Sequence, residues 1–395
     1  MGYATASGTP IPDLLLGSNG ERATSPDTWR QLRRPELLCA YGTEVFGTTP
    51  PGCHGELRFV MREEVPGARD GLATRLRVGI LFEGTETGRR MELLVYLPNF
   101  VEGPVPVFLG LNFDGNFATT HEPDLPVPNH YVMGLFMAVP DHRARNDQRG
   151  HNAAHWPYDA ILRRGYGVAT ACYGEVEPDM PGQWWHGPRV LAPPMGASDW
   201  AAIGGWAWAL SRALDFLVTL PRVDAGRVAL VGFSRLGKSA LWAAAQDERF
   251  AAVISQNSGK GGVSLFDRGV GDTIAELIAA FGHWFAPKFA RYDCNENQLQ
   301  VNAHALVSLL APRALLILSA AGDAWSDPEG EFLGGLGADP VYRLHGVEGL
   351  AEQAWPRVGK PVNSRIGYYL RAGAHDVTAE DWEVTLDWTD VHFRS

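Results

Sequence analysis

The 395-residue sequence predicts an α/β fold, a mostly parallel sheet covered by helices on both faces. Short apolar, β-favouring runs alternate with segments of helical periodicity along most of the chain, the order that parallel βαβ units require. One strand–helix pair meets in an abrupt glycine-bearing turn, Gly232-Phe233-Ser234-Arg235-Leu236-Gly237-Lys238. Two late strand runs end in short polar loops, one carrying Asp323 and the other His375.

The elements follow in order. Residues 1–30 are polar and proline-bearing and read as an extended arm; residues 29–41 read as a helix with Leu32, Leu37 and Leu38 as its apolar members. Strand runs come at 76–82, 91–97, 105–111 and 166–173. Between the last two, residues 113–157 hold prolines, glycines and histidines without periodicity and read as a long loop near a site. Ile203, Trp206, Leu210, Leu214 and Leu217 keep helical spacing up to a stop near Pro221. The strand run 227–233 precedes the abrupt turn, and Ser239 to Gln246 continue as a helix. A strand at 251–255, a helix marked by Ile274, Leu277, Ile278 and Phe281, strands at 314–319 and 365–370, and a closing helix Ala379–Phe393 complete the chain. No linker separates two domains, so residues 1–395 are read as one, with 1–60 an arm and helix packed on the rest.

Composition sets limits. Hydrophobic residues make up 45% and charged residues 20%, enough apolar material for a large core. Glycine and proline (45 and 27 residues) are abundant, which points to long ordered loops. A net charge of −11 argues against nucleic acid or an anionic membrane as partner. No apolar run approaches the length of a membrane span. The four cysteines are scattered without a C-x-x-C, so they do not suggest zinc; disulfides stay open. The thirteen tryptophans are read mostly as core, though exposed indoles commonly stack on sugar rings.

A serine on a tight strand-to-helix turn projects its hydroxyl from the carboxyl edge of a parallel sheet, the nucleophile elbow of an α/β-hydrolase fold. The competing reading is a helix N-cap. A serine nucleophile needs a base and an acid to orient that base, in the chain order serine, acid, histidine. Ser234, Asp323 and His375 satisfy that order. Asp327 and Glu329 are alternative acids, while Asp376 adjoins the histidine and is poorly placed to reach its ring. His151 and His155 are four apart but lack the glutamate of H-E-x-x-H and a third ligand, so no metal is expected. The backbone N–H of Arg235 is the expected oxyanion donor. Arg235 and Lys238 place two cations at a helix start, where the dipole disfavours them, which suggests that something electron-rich binds there.

These residues resemble the glucuronoyl esterases, carbohydrate esterase family 15, in their bacterial branch. The G-x-S-R-x-G-K signature is present at Gly232 to Lys238, S-G-x-G-G at Ser258 to Gly262, and the aromatic W-F segment at His283-Trp284-Phe285. D-x-W-x-D-P-x-G-E-F runs from Asp323 to Phe332, and the histidine loop from Gly373 to Thr378. The resemblance implies Ser234 as nucleophile, His375 as base, Arg235 as oxyanion stabiliser, Lys238 and Trp325 as contacts to a glucuronate ring, and Asp272 at the family's sugar-binding glutamate, one methylene shorter. Many members carry a glutamate acid where this chain has Asn257, which leaves the acid to Asp323; Phe233 stands where some relatives have cysteine. The implied activity is hydrolysis of (4-O-methyl-)glucuronic acid esters, as in lignin–carbohydrate bonds of glucuronoxylan, without metal or organic cofactor. The same resemblance implies a secreted or periplasmic monomer. Two other readings stand beside it: a serine esterase for another acyl group, such as acetyl xylan or an aryl ester, and a non-catalytic carbohydrate-binding member of the fold.

Overall fold

The computed structural model describes residues 11–50, 56–194 and 196–394. Nine strands form one sheet: β1 (Arg58–Ala68), β2 (Ala73–Leu81), β3 (Arg90–Pro98), β4 (Val105–Asn112), β5 (Gly167–Cys172), β6 (Val223–Phe233), β7 (Ala252–Gln256), β8 (Ala314–Ala320) and β9 (Ile366–Arg371). Their spatial order is β1-β2-β3-β5-β4-β6-β7-β8-β9. The six strands from β5 to β9 in that order are parallel, whereas β1, β2 and β3 are antiparallel and β3 runs against β5.

Register brings the carboxyl ends of the parallel strands to one edge. Asn112 pairs with Cys172, Phe233 with Gln256, Gln256 with Leu318, and Ala320 with Arg371. The loops that carry chemistry leave from this edge.

Both faces of the sheet are covered, because β4, β5, β7, β8 and β9 are buried along their whole length. One face packs on Ala202–Leu217 and Arg235–Gln246 through residues such as Trp206, Leu210, Leu241 and Trp242. The other packs on Tyr158–Arg163 and Ala379–Phe393 through Ile161, Leu162, Trp382 and Leu386. No helix among the described residues is long and apolar enough to cross a membrane.

Differences from the sequence expectation have local causes. β1 is a half-exposed edge strand whose apolar run, Phe59-Val60-Met61, is short and is followed by Arg62, Glu63 and Glu64, so the sequence does not mark it as a strand. The first helix continues to Phe46, with wide turns at Trp29–Arg33 and Gly42–Phe46 that shift its phase. Its buried members are therefore Trp29, Leu37, Tyr41, Val45 and Phe46, while Leu32 points to solvent. The arm is described from residue 11 onward and buries Leu14 and Leu15. Pro328–Gly337, Ala303–Ser308 and Asp339–Leu344 are additional helices, short or glycine-rich and so weak in periodicity. Cys39, Cys172 and Cys294 are free thiols; Cys53 lies outside the described residues.

The elbow depends on Gly232. A Cβ added there would lie 2.2 Å from the carbonyl oxygen of Leu236 and 2.5 Å from its carbon. Gly232→Ala is expected to cost about 3 kcal/mol or more, since the obstacle is backbone and cannot rotate away. A thermal melt of the variant, or loss of soluble protein, checks this.

Candidate active site

Ser234 sits at φ 56°, ψ −127°, a backbone conformation that costs a non-glycine residue energy and persists only where the surroundings enforce it. Its side chain makes no capping bond to the helix that follows, so the N-cap alternative is not the role it plays. The main chain is pinned instead: Ser234 N–H donates to the Gln256 carbonyl at 2.9 Å, and its own carbonyl accepts from Gly237 and Lys238. Gln256 Nε2 in turn donates to the Asp376 carbonyl at 3.0 Å, tying the elbow to the loop beyond β9.

That loop carries His375, whose ring centroid lies 4.4 Å from the ring of Phe233, the residue before Ser234. His375 Nδ1 is 2.6 Å from Asp323 Oδ2. Asp323 is 4% exposed. The same carboxylate accepts from Asn257 Nδ2 at 2.8 Å and from the Ser326 N–H at 3.4 Å. Burial alone would raise the Asp323 carboxyl; the hydrogen bond with His375, with Ser326 and Asn257 adding to it, lowers it below the ordinary value. The structure thus brings His375 and Asp323 together against the elbow. Ser234 Oγ itself makes no hydrogen bond among the described residues.

The alternative acids are engaged elsewhere. Asp327 caps the helix Pro328–Gly337 and pairs with Arg268, which also holds Glu329. Asp376 pairs with His155 at 3.2 Å, while His151 Nε2 meets the Phe136 carbonyl at 2.6 Å. Among the described residues no cluster of three or more metal-ligating side chains is present.

Arg235 is buried, and its guanidinium donates to Asp179, a residue that sequence reasoning missed. Asp179 also accepts from Tyr173 Oη at 2.9 Å, His283 Nε2 at 2.7 Å and Trp284 Nε1 at 2.6 Å. Burial would raise the Asp179 carboxyl; the His283 hydrogen bond and the Arg235 charge outweigh that and hold it well below the usual carboxylate range. The Arg235 guanidinium lies 4.5 Å from the centre of the Trp284 ring and 5.3 Å from that of Phe281. The electron-rich partner that two cations at a helix start imply is thus supplied, for Arg235, by the protein. No signal marks Asp179 in the sequence, because it is one acid in a proline-bearing loop.

Lys238 donates to the Ser258 carbonyl at 2.5 Å, and its ammonium stands 5.8 Å from the Trp284 ring centre. Burial pushes it down to about 8, opposed by the charge of Asp272. Asp272 is 3% exposed, and its Oδ1 is buried with no hydrogen-bond partner. Burial pushes this carboxyl up to about 7. Its N–H donates to the carbonyl of Trp325, whose indole is 56% exposed. A cation, an unpaired carboxyl and a bare indole therefore lie together on the β7–β8 side of the elbow.

A sequence family described as glucuronyl esterase, fungi, matches residues 196–346. A carbohydrate esterase from an unknown prokaryotic organism is 39% identical over 97% of this chain and 89% of its own length. The structure of a glucuronoyl esterase from Solibacter usitatus is 38% identical with a TM-score of 0.91, covering 97% of this chain and 98% of that one. The chain belongs to carbohydrate esterase family 15, the glucuronoyl esterases. Another structure of the family, titled a promiscuous esterase from a marine bacterial metagenome, is 37% identical with a TM-score of 0.91 over the full length of both chains.

Within this family frame Asn257 stands out. It holds φ 45° directly after β7 and, lacking a charge of its own, hydrogen-bonds the carboxylate that reaches His375. Glu331 fixes the adjoining turn: it accepts from Gly259 N–H at 2.9 Å and from Ser319 Oγ at 2.5 Å.

Burial pushes Glu331 from 4.5 up to about 8. The folded protein then keeps a proton that the unfolded chain has lost between those values. The Glu331 contribution is complete below about pH 4.5 and is lost as pH rises through about 8. Glu331→Gln is expected to flatten the decline of Tm across that window, read from melts taken at successive pH values.

Proposed function

We propose that the protein hydrolyses esters of the glucuronic acid carboxyl group through an acyl-enzyme on Ser234. The carrying observation is the His375–Asp323 hydrogen bond held against the elbow, beside the Lys238, Asp272 and Trp325 cluster.

Ser234 Oγ attacks the ester carbonyl while His375 takes its proton. Because Oγ makes no hydrogen bond among the described residues, this step needs the serine and the ring to draw together as substrate binds. Asp323 fixes the ring with Nδ1 protonated and stabilises the imidazolium. The oxyanion meets the Arg235 backbone N–H, one of the first-turn amides that lack an intrahelical acceptor. The guanidinium, held by Asp179, adds fixed positive charge close by. His375 then returns the proton to the departing alcohol, and a water molecule, activated by the same ring, hydrolyses the acyl-enzyme.

The acyl group is recognised by the neighbouring cluster. Lys238 has two ammonium protons beyond the one given to Ser258, Asp272 offers an unpaired carboxyl oxygen, and Trp325 offers an indole face. Together they suit the hydroxyls and ring of a uronate sugar better than an alkyl chain, next to which a buried ammonium and carboxyl would be left unmatched. The 4-O-methyl-glucuronate of glucuronoxylan has this chemistry.

Comparison of benzyl glucuronate with benzyl acetate tests the acyl preference, including against the broader specificity named for one relative. Lys238→Ala is expected to lower kcat/KM on the glucuronate by about 10- to 100-fold, the cost of a charge-assisted hydrogen bond, and to leave the acetate nearly unaffected. Because burial lowers the Lys238 ammonium, wild-type kcat/KM on the glucuronate should also fall with rising pH before an ordinary lysine would lose its proton. Equal rates on the two esters overturn the assignment.

The acid is tested separately. Asp323→Ala is expected to lower kcat by about 10³- to 10⁴-fold, and Asn257→Ala by about tenfold or less, because Asn257 only steadies the carboxylate. Single-turnover rates of the two folded variants decide it; the reverse order refutes Asp323 as the acid.

A further inference from the structure

His375 stands on a loop that has little of its own to hold it. Residues 372–376 are exposed, and Ala372, Gly373 and Ala374 bring no side chain able to pack beneath the ring. Yet the imidazole must serve Asp323 on one side and Ser234 on the other, and a misplacement of about 1 Å can cost about 10²-fold in rate. The residue that fixes the loop is the one before it.

Arg371 ends β9 and is buried. Each of its three guanidinium nitrogens donates. Nε meets the two Asp381 carboxylate oxygens at 3.1 and 3.0 Å, and Nη1 the Ala372 carbonyl at 2.8 Å. Nη2 donates to the Ala374 carbonyl at 2.9 Å and the Asp376 carbonyl at 2.6 Å, the two that bracket His375. The main chain meanwhile joins the loop of the acid. Ala321 N–H donates to the Arg371 carbonyl at 2.9 Å, and Gly322 N–H to the Gly373 carbonyl at 2.8 Å. Asp381, also buried, accepts from Thr378 N–H and Oγ1 at 2.8 Å each, at the start of the closing helix. Burial raises its carboxyl, and the Arg371 charge opposes this.

We propose that Arg371 is a positioning residue for the reaction: its guanidinium grips the carbonyls on either side of His375 and so keeps the imidazole between Asp323 and Ser234 during acyl transfer. Stability alone does not account for it. A buried ion pair contributes little more than apolar packing of the same volume, whereas the three loop carbonyls are groups that only a donor at this spot can reach. The planar fork is what the role requires. A lysine could carry the same charge and pair with Asp381, but a single ammonium cannot span a carboxylate on the helix and three carbonyls spread along the loop.

The inference rests on the esterase reading for the role of His375 as base, but the contact of that ring with Asp323 can be followed without substrate. Arg371→Lys is compared with Arg371→Gln combined with Asp381→Asn, which removes both charges together and so strands neither in the interior. In each, kcat on benzyl glucuronate is expected to fall about 10- to 100-fold with KM changed less than about threefold, because Lys238, Asp272 and Trp325 stand on other segments. With isotopically labelled histidine, the low-field Nδ1 proton of His375, identified by its loss in His375→Gln, should broaden or vanish in both variants. Unchanged kcat with that signal intact overturns the proposal. So does a loss carried by KM, or a loss of rate that follows Tm across the two variants, either of which reduces Arg371 to a support of the fold. If the wild type leaves benzyl glucuronate intact while both variants lose the proton signal, the acyl assignment fails and the role of Arg371 stands.

Discussion

The approach of Gly232 to the Leu236 carbonyl governs the site, because it lets the chain pass from β6 into a helix through the single strained residue Ser234. Any Cβ at position 232 would push the helix off the strand and relax that turn. With the turn enforced, the Ser234 hydroxyl leaves the helix axis instead of capping it, and the Phe233 ring faces His375. The strain is opposed by the Ser234 N–H bond to Gln256 and by the helix bonds to its carbonyl. A catalytic hydroxyl aimed by backbone geometry loses little freedom when substrate arrives.

Around this turn the dominant electrostatic problem is a pair of cations buried at a helix start. Removal of either charge from water is expensive unless it is paired and hydrogen-bonded. For Arg235 the solution is internal: a carboxylate held by four donors, and aromatic faces on Trp284 and Phe281. For Lys238 it is incomplete. One carbonyl and a nearby indole face satisfy part of the ammonium, and Asp272 faces it without a hydrogen bond. The difference separates a fixed charge, which stays put through catalysis, from a recognition group whose remaining bonds belong to a ligand.

The orientation of the general base is shared between two strands. Asp323, beyond β8, supplies the charge, while Asn257, beyond β7, supplies a neutral hydrogen bond to the same oxygen. A second carboxylate at position 257 would repel Asp323 at this separation, so an amide there is compatible with a single acid.

The order serine, acid, histidine and the position of each at a strand end are legible in the sequence, because strand runs and polar loops are local patterns. The same holds for the parallel core strands and the Arg235–Lys238 pair, whose helix-start placement follows from the turn. Three features required the fold. Asp179 gave no signal because its importance comes from a partner 56 residues away. β1 gave none because an edge strand needs no apolar face when its neighbour already closes the core. Whether Asp272 or Trp325 meets anything is decided by which loops the β7–β8 register brings side by side. Sequence records which chemistry each segment carries; only close packing decides which charges are neutralised from within and which are left for a substrate.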